Sequence, residues 1–483
     1  MWVFLTLSLT TFGQGRSVEL FNFGWRFAAG DIPQAEQPHL DDSSWRSVDV
    51  PHDFQIEQPW VAPADNEQAD NSDIGANVRS RLSSRGFKEM GIGWYRKHFQ
   101  PEPAWQGKRV LLDFEGIMYV GDVYLNGERI GGTDYGYVGF EIDITHRLKY
   151  GEENVLAVKA DTREPNNSRW YTGGGLFRNV QLVVTDPDLY LTRHPLFITT
   201  PTVSNERASL HIQAEIASSQ RQPIQAEVVI TDAQGTEVVR QQTQFQYRQT
   251  PYEYAFPEIT LPQPHRWSCE DPYLYTATVT LYRADGQVAD QISERFGVRT
   301  IEFSPAFGLK LNGEKVLLKG IANHHSLGAL GAAAYPRAIE KRLQLLKSFG
   351  VNHIRTSHNP YSVDFMNLCD QYGILVVAAL LPEGYGLGLP ASPTAFLRFL
   401  LSLVLGLLVM VSLNMMVYVT SLFTISGDGL RILFCSIVEV LSGQIIPLPF
   451  FPEHVQRILE WNPFASTGNV PFRIYSGNLS ERL

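Results

Sequence analysis

Asn352-His353-Ile354-Arg355-Thr356-Ser357-His358-Asn359-Pro360 is the stretch that decides the fold. Its first half is a short strand of β-branched and polar residues, and its second half is a loop closed by proline. The helix signals lie on either side. Upstream, Pro336 to Phe349 carries a helical period, with Pro336 suited to the first turn and Gly350 to the end. Downstream, Ser362 to Tyr372 is a second helix. Further out, Lys315 to Ile321 and Gly373 to Val377 read as flanking strands. Strand-helix-strand-helix-strand predicts parallel βα units. A complete (β/α)8 barrel takes about 250 residues, and residues 303–385 amount to about 80. The expectation is the truncated start of such a barrel.

Toward the N-terminus the rhythm changes to β. Between Val18 and Asp186 short alternating runs such as Arg109-Val110-Leu111-Leu112-Asp113-Phe114 recur between turn signals. Asn126-Gly127 directly follows one of them, which is hairpin chemistry. Many short strands without a long helical period predict a β-sandwich over residues 16–187. A second β block over residues 188–302 has the length of an immunoglobulin-like sandwich, with clear alternation from Ala208 to Ile216.

Toward the C-terminus the composition shifts near residue 385. Phe399 to Ile425 contains no charged residue, and about 20 apolar residues suffice to cross a bilayer. A second apolar run, 432–451, is interrupted by Glu439, Gln444 and Pro447, and a short amphipathic piece follows at His454 to Trp461. Two transmembrane helices within residues 390–483 are expected. Residues 1–15, an apolar run followed by small residues, predict a secretory signal and therefore export.

Bulk properties exclude other classes. The net charge of -10 comes without a basic block, which argues against nucleic-acid binding. Cys269, Cys369 and Cys435 are odd in number and far apart, so no disulfide framework or metal spacing is legible. No cofactor or metal ligand set can be read, and oligomerisation is left open.

Several segments resemble glycoside hydrolase family 2, the family of β-galactosidase and β-glucuronidase. They include Asp41-Asp42-Ser43-Ser44-Trp45 with Val50-Pro51-His52-Asp53, Gly93-Trp94-Tyr95-Arg96, and Val123 to Gly127. Asn167-Ser168-Arg169-Trp170-Tyr171-Thr172-Gly173-Gly174-Gly175-Leu176-Phe177-Arg178-Asn179-Val180 and Leu318 to His325 are more specific, and Ile354 to Pro360 is the most diagnostic. The resemblance implies a sugar-binding jelly roll, an immunoglobulin-like sandwich and a (β/α)8 barrel, in that order. It also implies a β-linked glycan or glycoside as partner. Barrel active sites lie at the carboxyl ends of the strands, where His324 and His358 fall. By resemblance these two are substrate and transition-state contacts, Arg355 orients the site, and Asn167 and Arg169 rim it.

Such enzymes need two carboxylates, ~5–5.5 Å apart in the retaining type, and in this family both come from later barrel strands. The family also carries an acidic pair at the end of the third strand, where this sequence has Ala378-Ala379, followed by Leu380-Leu381-Pro382. Beyond it stand only Glu383, Asp428, Glu439, Glu453, Glu460 and Glu481, none in the family's acid/base context. No catalytic residue is therefore assigned, and the chain is expected not to hydrolyse glycosides. Residues 441–452 and Trp461-Asn462-Pro463-Phe464 resemble the end of a type-2 ABC exporter permease. No phosphate-binding loop of the form G-x-x-x-x-G-K-[ST] occurs. The expectation is a chimera: an exported family 2 hydrolase cut short and joined to a permease-like membrane segment. Two alternatives stand beside it, a membrane-anchored carbohydrate-binding module and a permease fragment carrying a passenger.

Overall fold

The computed structural model describes residues 11–12, 15–61, 86–163, 170–219, 223–246, 248, 251–304, 307–378, 393–421 and scattered positions between 438 and 470. The chain divides into two compact units, Met1–Leu380 and Leu381–Leu483.

The first unit opens with two antiparallel sheets. One runs Thr11–Phe12, Ser17–Leu20, Val180–Thr185, Arg109–Phe114, Phe140–Asp143. The other runs Arg46–Val48, Trp25–Ala29, Ile92–Phe99, Asn154–Asp161, Val120–Leu125, Glu128–Thr133. Alternating side chains from both sheets meet in one core of Trp25, Tyr95, Leu112, Phe114, Val158 and neighbours. The predicted hairpin is present. Val120–Leu125 pairs with Glu128–Thr133 across Asn126 and Gly127, both at positive φ (54° and 88°). A second sandwich follows from two four-stranded sheets. Leu189–Val203, Arg207–Ser218, Tyr252–Ala255 and Ile259–Pro262 form one, and Ile224–Thr231, Glu237–Phe245, Tyr275–Tyr282 and Val288–Phe296 the other. Leu210, Ile212, Val228 and Val279 lie in its core.

The βα segment is built as its periodicity predicts. Strand β1 (Gly320–Asn323), helix α1 (Pro336–Ser348), strand β2 (His353–Thr356), helix α2 (Val363–Tyr372) and strand β3 (Leu375–Ala378) alternate. The strands are parallel in the order β1-β2-β3. Pro336 starts α1 as read. The Ser362 hydroxyl accepts the Phe365 N–H to cap α2, and Gly373, expected to open the third strand, instead ends α2 in the left-handed region, so that strand begins at Leu375. Another expectation is corrected. Lys315 to Ile321 is not a single strand: Glu314–Lys315 turns back onto Gly308–Leu311, and parallel pairing begins only at Gly320. The reason is register, since Gly320 is the first residue with a partner on β2, opposite His353.

One face of this small sheet packs against its helices. Ile321, Ile354 and Val376 stand in a row and join Ile339, Leu343, Phe365 and Cys369. The alternate row, Ala322, Arg355 and Val377, is exposed. That row would line the interior of a closed barrel, and a sheet of three strands leaves it open.

In the second unit, α3 (Pro393–Ser421) has 29 residues, about 44 Å of helix. It is the one helix among the described residues long and apolar enough to cross a membrane. The second span expected at 432–451 lies outside the described residues apart from Val438, Leu441 and Ser442. The amphipathic piece is helix α4 (Glu453–Glu460). Residues 1–15, expected to be a signal, also lie outside the described residues except Thr11, Phe12 and Gly15, with Thr11–Phe12 paired to Ser17–Val18.

Candidate functional site

β1 and β2 end side by side, Asn323 opposite Thr356, so the loops that leave them emerge together. His324 is the first residue past β1 and His358 the second past β2. Their rings meet edge to face, with centroids 5.9 Å apart. Trp170, on the jelly-roll loop, lies 5.3 Å from each of them. Trp170 Nε1 donates to the Tyr137 hydroxyl at 3.2 Å, which fixes the indole from behind. Two imidazoles and an indole thus form a corner at the carboxyl end of the parallel sheet. An aromatic wall beside hydrogen-bonding groups suits the apolar face and hydroxyl edge of a sugar ring.

His324 Nδ1 is buried with no hydrogen-bond partner among the described residues. Burial, and then the nearby His358, pull the His324 pKa down, so its ring stays neutral and can donate or accept. Among the described residues, no carboxylate contributes to that shift. His325, the next residue, points elsewhere: it packs against Tyr137 and Phe177 and reaches the Thr172 carbonyl at 3.1 Å. Burial lowers its pKa to about 4.

The corner is held by contacts between the jelly roll and the barrel start. Asp53 is the centre of one set. Its Oδ1 accepts the N–H groups of Gln55 (3.0 Å) and Gly174 (2.9 Å). Its Oδ2 accepts the Tyr171 hydroxyl (2.8 Å) and the Ala332 N–H (2.7 Å). Burial raises its pKa, against these four donors. Gly331, at φ +62°, sits so close to Asp53 Oδ2 that a Cβ would collide with it. Arg178 makes the second set, donating to the carbonyls of Tyr137 (3.0 Å) and Pro360 (2.7 Å). Asn179 donates to Asp364 at 3.1 Å, and the Val363 N–H to Glu115 at 2.5 Å. On the barrel side, Arg342 holds the β1 loop by donating to Asn323 Oδ1 (3.2 Å) and to the carbonyls of His324 (3.1 Å) and Ser326.

Of the residues expected from the sequence, His324 and His358 are brought together. Arg355 stands one row back on the open face, paired in register with Ala322 and Val377, and hydrogen-bonds to neither histidine. Asn167 and Arg169 lie outside the described residues. The sequence reading missed Trp170, Asp53 and Arg178 as site-building residues. All three lie in the quoted motifs, but nothing local shows that an indole, a carboxylate and a guanidinium far apart in sequence converge on two barrel loops. Among the described residues, no group of three His, Cys, Asp or Glu is placed to hold a metal ion.

With this geometry in place, comparisons with known proteins are specific. Residues 91–171 match the galactose-binding domain-like model of glycosyl hydrolase 2, residues 194–299 the glycosyl hydrolases family 2 model, and residues 307–395 the TIM barrel domain of that family. Residues 364–482 match the model of an ABC-2 family transporter protein, overlapping the barrel match. A β-galactosidase of Bacteroides ovatus is 36% identical over 359 residues, 74% of this chain and 40% of that protein. A putative β-glucuronidase of Formosa agariphila is 32% identical over 374 residues, 76% of this chain and 34% of that one. The crystal structure of a glycosyl hydrolase family 2 member from Bacteroides cellulosilyticus superposes with a TM-score of 0.68 at 34% identity, covering 75% of this chain and 46% of the other. The chain thus spans less than half the length of these relatives.

Proposed function

Since residues 91–395 of this chain belong to glycoside hydrolase family 2, we propose that it carries the recognition half of a β-galactosidase- or β-glucuronidase-like site and binds a β-linked glycoside without cleaving it. The observation that carries this reading is the corner of Trp170, His324 and His358, which presents sugar-binding chemistry at the carboxyl end of the parallel sheet. The indole packs on the ring face, and the exposed His358 ring bonds a hydroxyl. Arg355 orients the site, and Asn167 and Arg169 rim it in this reading. Hydrolysis needs an acid to protonate the leaving oxygen and a second carboxylate to attack the anomeric carbon. The end of β3 offers Ala378 instead, and the match to the family's barrel model ends at residue 395. The permease-like segment, with α3 long enough to span a bilayer, tethers an exported glycan-binding part to the membrane.

The test is turnover and binding by the same purified chain. An aryl β-galactoside and an aryl β-glucuronide are expected to remain uncleaved, while one of them quenches tryptophan fluorescence saturably. Cleavage that His358→Ala abolishes would overturn the reading.

A second reading has its own support, the match of residues 364–482 to an ABC-2 family transporter protein. In it the chain is a permease fragment with a sandwich passenger. Single long reads of the coding DNA across codons 375–395 separate a genuine fusion from a false join.

A further inference from the structure

Beneath the histidine corner, where the jelly roll meets α1 and α2, lies a small void of about 20 Å³. Its wall includes Arg178, Arg342, His325, Asn323, Tyr361 and Ser362. Two of these carry permanent positive charge. Arg178 is only 3% exposed, and its two terminal nitrogens donate to the neutral carbonyls of Tyr137 and Pro360. Its Nε has no hydrogen-bond partner among the described residues. Arg342, half-buried, donates only to the Asn323 side-chain oxygen and two backbone carbonyls. Among the described residues neither guanidinium forms an ion pair. The acid beside Arg178, Glu115, acts on it through space, but its carboxylate accepts the Val363 N–H and does not line the void.

Buried charge is costly unless it is paired. Carbonyl dipoles satisfy most of the N–H groups here, and the charge of Glu115 acts on Arg178 alone, so the two guanidiniums at this spot keep a net positive charge. The volume suits a single small occupant, since about 10–15 Å³ already admits a water. A water would answer the orphan Nε but not the charge. We propose that this void binds one small monovalent anion of chloride size, held by Arg178 Nε and facing Arg342. The anion would bridge the jelly roll to the loop that carries His324, because Arg342 grips the His324 carbonyl and Arg178 grips Pro360, next to the His358 loop. The proposal stands on the void and its two arginines and does not depend on glycan binding.

The test uses the full chain in detergent. Crystals grown in sodium bromide are expected to show an anomalous peak within hydrogen-bonding distance of Arg178 Nε. In parallel, thermal unfolding is compared in sodium chloride and sodium gluconate at equal ionic strength. Chloride is expected to raise the midpoint saturably by about 2–4 °C, and Arg342→Gln is expected to lose that shift. An ordered water with no bromide peak, or equal midpoints in both salts, overturns the proposal. If Arg342→Gln does not fold, the bromide map and the salt comparison on the unaltered chain decide it.

Discussion

The Asp53 carboxylate accepts the backbone N–H of Ala332 at 2.7 Å, across 279 residues of sequence. One end of this bond is the jelly roll, and the other is the loop between β1 and α1. Three further donors converge on the same carboxylate. The barrel start, which cannot close on itself, is therefore docked on the domain before it.

Removing that carboxylate should separate the two parts energetically. Asp53→Ala strands several buried donors, each worth about 1–3 kcal/mol, so a loss of at least ~3 kcal/mol is expected. Gly331→Ala should act on the same contact by steric collision and unfavourable φ. Urea unfolding followed by tryptophan fluorescence checks both. A midpoint within error of the unaltered chain for either variant contradicts the docking role.

Recognition by the corner should depend on its indole. Trp170→Ala is expected to weaken glycoside binding about tenfold, ~1.4 kcal/mol, with little effect on unfolding because Trp170 is only half-buried. Titration of the aryl glycoside against both proteins reads the difference. Unchanged affinity would place the sugar elsewhere.

His98 should make the jelly roll sensitive to alkaline pH. Burial pulls its pKa down, but hydrogen bonds to Asp42 at 2.8 Å and Glu153 at 2.9 Å outweigh that, and the pKa is raised. Arg96 faces Asp42 as well, at 2.7 Å. A histidine whose folded pKa lies above its unfolded value of about 6.5 stabilises fully below that pH and loses the contribution as pH rises through the folded pKa. His52, His324 and His325 are shifted the other way and oppose it. The clean readout is the difference in unfolding midpoint between the unaltered chain and His98→Gln. It is expected to be large near pH 6 and to shrink by pH 9, and a difference independent of pH refutes it.

Proteolysis should map the open side of the barrel start. The sequence alone suggests that all of residues 305–385 is vulnerable, because the strands lack partners. In the structure, α1 and α2 are tied down: Lys347 donates to the Cys269 carbonyl at 2.5 Å, Trp267 Nε1 to the Asp370 carbonyl at 2.9 Å, and Arg178 to Pro360. Early cuts are expected between Val316 and Lys319, where Leu317 is 71% exposed and the segment is tied to Leu309 and Asn352 outside any strand ladder. Mass spectrometry of limited digests identifies them, and first cuts inside α1 or α2 contradict this.

Local chemistry carried the sequence reading. Asn126-Gly127 specifies a hairpin and Pro336 a helix start, because each acts through its own backbone angles. The order of the domains and the placement of His324 and His358 at strand ends follow from the same short-range periodicities. Tertiary structure alone decided that Trp170 stands beside both histidines, that Asp53 and Arg178 dock the barrel start, and that Arg355 faces open space. Those relations join residues hundreds of positions apart. They arise from packing and from the need to satisfy buried polar groups, and neither leaves a local pattern in the chain.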